Sequence, residues 1–75
     1  MIFPYEYYLP LENNPHLLLR VTINKYQNFY SSEMDIIFSE SYRIFHHIGI
    51  RYRELDPEEA LYNAIQEASN FLSKK

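Results

Sequence analysis

From residue 16 the chain alternates between apolar and polar positions. In "HLLLRVTINKY", residues 16–26, Leu17, Leu19, Val21 and Ile23 face one way, and Leu18, Arg20, Thr22 and Asn24 the other. That period of two predicts a strand with one buried face. The β-branched run Val21–Thr22–Ile23 agrees with it. Residues 34–40 repeat the pattern, with Met34, Ile36 and Phe38 against Asp35, Ile37 and Ser39. "SES" then turns the chain, and the alternation resumes in "YRIFHHIGIRYR". One side of that stretch carries Tyr42, Ile44, His46, Ile48, Ile50 and Tyr52. The other carries Arg43, Phe45, His47, Gly49, Arg51 and Arg53. A helix over residues 33–48 competes here: Ser32 with Asp35 resembles a capping box and Gly49 could end it. Ser41 would interrupt its stripe, and the β-branched and aromatic density favours two strands.

The flanking segments complete the order. In residues 1–15, Tyr5, Tyr7, Leu9 and Leu11 alternate with Glu6, Tyr8, Pro10 and Glu12. Pro4 and Pro10 cannot donate ladder hydrogen bonds, which suits an edge strand or an extended arm. "ENNP" is a turn, since Asn bonds its own backbone and Pro restricts its predecessor. Residues 27–33 form a polar connection bearing Phe29 and Tyr30. Residues 56–73 predict a helix. Asp56 caps it, Pro57 takes its first position, and Glu59 suits a capping box. Lys74 and Lys75 suit its negative end. Ala60, Leu61, Ala64, Ile65, Ala68, Phe71 and Leu72 form one apolar face.

The expected fold is α+β: a three- to four-stranded antiparallel meander with one C-terminal helix packed on one face. Residues 1–75 form a single domain, with an arm or edge strand to residue 15, the sheet over 16–55 and the helix over 56–73.

Composition changes this picture in three ways. A chain of 75 residues buries a marginal core, and eight Tyr and five Phe strengthen it. The lack of cysteine excludes disulfides and thiolate metal sites and is compatible with a cytoplasmic home. The net charge of −3 disfavours a general nucleic-acid binder. Acidic residues dominate both ends, so the terminal regions could dock on a basic partner. No apolar run reaches membrane-spanning length, and no signal-peptide start is present.

Candidate chemistry is sparse. One glycine makes no phosphate loop, and no nucleophile motif is present, so no enzyme is expected and no cofactor. His46 and His47 are neighbours and point to opposite faces of a strand, so they cannot share one metal; none is expected. His46 is read as a core histidine bonded to backbone. Arg43, Phe45, His47, Arg51 and Arg53 are expected to project from the helix-free side, beside Arg20, Thr22, Asn24, Asp35 and Ile37. They are either a plain solvated face, with the arginines paired to Asp35, Glu40 or Glu54, or a working surface. With Tyr5 and Tyr8 of the N-terminal arm they are the candidate partner-binding residues.

"DPEEALYNAIQEASNFL", residues 56–72, following a strand, resembles the strand-to-helix unit of the HicB family of small antitoxins. The chain lacks the glycine-rich character of that family's antitoxin domain. The resemblance implies a toxin-neutralising role. From the small size, the lack of a catalytic set, the acidity and the Tyr- and Arg-bearing surfaces, the expected function is a small non-enzymatic protein-binding module, a stoichiometric inhibitor or adaptor of phage anti-defence or antitoxin type. The alternatives are a nucleic-acid-binding module using the Arg/Phe face and a homo-oligomeric structural protein.

Overall fold

The computed structural model describes residues 2–73. The lysines expected at the helix end, Lys74 and Lys75, lie outside the described residues. Four strands and a helix follow in order: β1 Tyr5–Leu11, β2 Asn14–Lys25, β3 Tyr30–Phe38, β4 Ile44–Glu54 and α1 Pro57–Ser73. Every strand pairs antiparallel with its chain neighbour, in the order β1-β2-β3-β4. This is the predicted meander with its terminal helix, and residues 33–48 are strands and a turn rather than a helix. Among the described residues no helix is long and apolar enough to cross a membrane.

β1 forms one edge of the sheet. Pro10, which has no N–H to give, sits opposite Leu18, and the register slips immediately after it. The turn at residues 12–13 comes next, with Asn14 Oδ1 accepting from the His16 N–H at 3.1 Å. β2 and β3 pair without interruption from Leu17↔Phe38 to Lys25↔Tyr30. Residues 30–33, expected in the connection, therefore belong to β3. The long β2 offers ladder partners as far as Lys25, and each extra pair satisfies backbone groups otherwise left to water. The connection shrinks to a turn in which the Tyr26 N–H donates to the Phe29 carbonyl, and their rings stack at 4.9 Å.

α1 begins as predicted. Asp56 Oδ2 accepts from the Glu59 N–H at 3.3 Å, and its carbonyl takes the first helical bond from Ala60. The reciprocal capping-box bond from the Glu59 side chain is absent among the described residues. The helix lies over β2, β3 and β4. Ala60, Ala64 and Ala68, without accessible surface, meet Leu19, Val21, Ile23 and Met34. Methyl side chains at a spacing of four let the helix approach the sheet closely. β1 lies beyond the helix, so Tyr5, Tyr7, Leu9 and Leu11 pack at the core's margin and stay half-buried.

The face opposite the helix is less open than expected. Ile37, paired with Leu18 and Ile44 on that face, has no accessible surface. The turn between β3 and β4 folds back over this end of the sheet, and the Tyr42 ring reaches Tyr8 of β1 at 5.4 Å. Tyr42 takes a left-handed backbone conformation, φ 61°, which costs a non-glycine residue roughly 1–2 kcal/mol. Tyr42 and Arg53 are the two described non-glycine residues with positive φ.

Candidate functional site

β4 does not present one uniform face. Its pairing with β3 slips three times: near Phe45, near Ile48 and before Glu54. Each extra residue on one strand exchanges the faces of the residues beyond it. The stripe of Arg43, Phe45, His47, Gly49, Arg51 and Arg53 is thereby dispersed. Arg43 lies in the turn before β4. Phe45 packs edge-on against Phe38 at 5.3 Å. His47 stands opposite Asp35 on the helix-free face. Arg51 turns the other way: it donates to Glu67 of α1 at 2.8 Å and to Glu54 at 3.0 and 3.1 Å. The bonds to Glu67, then those to Glu54, hold its guanidinium more firmly charged than usual against the opposing effect of burial. Arg51 is thus a clamp between sheet and helix, and Asn63 closes the same rim through Glu54 at 3.1 Å. Gly49 also lies on the helix side, opposite Met34 and beside the slip at Ile48. A side chain there would meet Glu67 Oε2 at an ordinary 3.9 Å, so no close approach demands glycine.

The remaining predicted residues separate in the same way. Tyr5 faces the helix side and packs on the core, not outward as an arm. Tyr8 faces the other side, where it donates to Glu6 at 2.9 Å. Burial first, and the adjoining Glu6 carboxylate next, raise its hydroxyl above the usual phenol value. His46 is exposed and stacks on Phe71 of α1 at 5.1 Å; it is not a core histidine. It does face away from His47, as neighbours on a strand must.

Two arrangements emerge. The first is the free edge of β4, eleven residues from Ile44 to Glu54 with no strand beyond it among the described residues. Along it Ile44, Phe45, Ile50 and Tyr52 are 44–57% exposed. Arg43 and Arg53 at its two ends are exposed and make no ion pair with any described residue. The second is a polar cluster on the helix-free face, which the alternation pattern hides. Asp35 is 1% exposed, yet it carries a carboxylate. His47 Nδ1 lies 2.7 Å from its Oδ1, and Arg20 sits 3.5 Å from its Oδ2. Glu33 Oε2 is 3.6 Å from His47 Nδ1. A buried carboxylate persists only with such partners.

The sequence held part of this signal. Glu33 and Asp35, two apart on one strand, must share a face. The partner was not foreseeable. Glu33↔Ile50 and Met34↔Gly49, continued regularly, would bring Ile48 opposite Asp35. The slip brings His47 there instead.

The chain matches no family model, and no curated protein or solved structure is significantly similar to it.

Proposed function

We propose that this chain is a non-enzymatic protein-binding module, a stoichiometric inhibitor or adaptor, that receives its partner along β4. One observation supports the reading above others: an eleven-residue edge strand with Ile44, Phe45, Ile50 and Tyr52 exposed along it. An edge strand offers unpaired N–H and C=O groups, and a partner segment can add to it as a further strand. Exposed aromatics supply contact area at small entropic cost, the usual character of interface anchors. Arg43 and Arg53, at the two ends, favour a partner whose apolar segment is flanked by carboxylates. The same edge also supports self-association, in which a second copy supplies the strand. The nucleic-acid reading loses ground, because Arg20 and Arg51 are committed to carboxylates.

The test is an affinity pull-down from host lysate, with and without nuclease, using the native chain and a Phe45→Glu/Tyr52→Glu variant. A single stoichiometric partner that survives nuclease and is lost with the variant is the expected result. Undiminished capture by the variant would exclude β4 as the docking strand. Recovery of RNA or DNA, lost at raised salt, would restore the nucleic-acid reading. Light scattering on the free chain reads the self-association directly.

A further inference from the structure

We infer that Glu33, Asp35 and His47 form a binding site for a divalent transition-metal ion of the zinc class. One ligand atom from each lies within 4.8 Å of the others. A tetrahedral ion with bonds of about 2.0–2.2 Å sets its ligands roughly 3.3–3.5 Å apart. His47 Nδ1 and Glu33 Oε2, 3.6 Å apart, already have that separation. His47 Nδ1 and Asp35 Oδ1, at 2.7 Å, need to open by less than an ångström. His47 and Glu33 are half-exposed and free to make that adjustment.

Glu33 and Asp35 come from β3, and His47 from the adjoining β4, so backbone pairing holds all three. Arg20 occupies Asp35 Oδ2 and leaves Oδ1 for the ion. A ligating carboxylate is commonly oriented by such an outer partner. The Glu33 and Asp35 carboxylates against the Arg20 guanidinium leave one negative charge, which a divalent cation reverses. An imidazole among the ligands selects zinc-like ions over magnesium and calcium, which prefer oxygen alone. Because His47 and Glu33 are half-exposed, the three protein ligands leave a fourth position for water. A ligating Nδ1 carries no proton, so in the bound state the imidazole proton sits on Nε2, exchanged through solvent. No other bond changes.

The test uses the purified full chain stripped of metal by a chelator and titrated with Co²⁺ alone, then with Zn²⁺ as competitor. The expected result is one equivalent of Co²⁺ with the visible absorption of a low-symmetry centre, displaced by Zn²⁺. Glu33→Gln and His47→Gln should each weaken binding by about tenfold or more. His16→Gln and His46→Gln should leave it unchanged. Circular dichroism verifies the fold of each variant, and if His47→Gln does not fold, Glu33→Gln decides alone. Absence of saturable one-to-one binding overturns the site. So does binding that survives Glu33→Gln, or that falls equally with His46→Gln, which would mark adventitious surface histidines only.

Discussion

The two faces of the sheet are closed by different means. On the helix side, three alanines of α1 seat against Leu19, Val21, Ile23 and Met34, with the buried Ser32 hydroxyl nearby. The ion pairs stay at its rim, where Arg51 joins Glu54 and Glu67. Among the described residues no second helix covers the far side. A short turn folds back, the ring of Tyr42, whose backbone has positive φ, reaches Tyr8 of β1, and an acidic side chain is buried against a histidine and an arginine. Burial by a helix is cheap in polar groups, because a helix satisfies its own backbone. On the far side the buried Asp35 carboxylate is instead met by His47 and Arg20. The contrast explains why the unusual chemistry of this small domain lies on its less regular side.

The contrast between the faces is sharpest if both are truncated. Ile37→Ala on the far side and Ile23→Ala under the helix each remove a fully buried side chain. Each should cost about 2–5 kcal/mol in denaturant unfolding, by lost transfer energy plus the cavity left behind. A cost below about 1 kcal/mol for Ile37→Ala would mean that the turn does not seal its face. Enlarging the helix contact tests the other side. Ala64→Leu should destabilise by about 1–3 kcal/mol, because the approach of α1 leaves no room for three more carbons. A neutral result there would show that the helix can lift without loss.

The smallest expected effect concerns Tyr8, where the turn reaches β1. Its hydroxyl titrates above the ordinary value of 10.0 in the folded chain, by burial and then by Glu6. The unfolded chain therefore releases that proton first as pH rises. The stability that Tyr8 contributes is complete below about pH 10 and declines as pH climbs toward its folded value. Tyr8→Phe should flatten that part of the alkaline decline in melting temperature while leaving neutral stability nearly unchanged. An identical alkaline profile for the variant would place the decline in other tyrosines.

Much of the fold is legible in the sequence because its signals are local. Asp56, Pro57 and the alanines at 60, 64 and 68 specify a capped helix and its buried stripe within a single segment. Pro4 and Pro10 mark an edge strand for a reason that needs no tertiary knowledge. Leu17 to Asn24 sorts itself by side-chain period alone. The site is less legible. Tyr5 and Tyr8 look alike as residues of a Tyr-rich arm, yet strand parity sends them to opposite faces. Alternation that runs unbroken in the sequence assigns Arg51 to the helix-free face, but the strand itself is broken by bulges and turns it to the helix.

What the sequence determined by itself is the element order, the helix and its buried alanines, and the core side of β2. Those depend on spacing and on backbone chemistry carried by single residues. Tertiary structure alone decided the register of β4 against β3, the fold-back of the turn at Tyr42, and hence the meeting of Glu33, Asp35, His47 and Arg20. The physical reason is that a bulge shifts pairing by one residue, and one residue exchanges the faces of a strand. Its position depends on the sum of contacts on both faces, which no local pattern records.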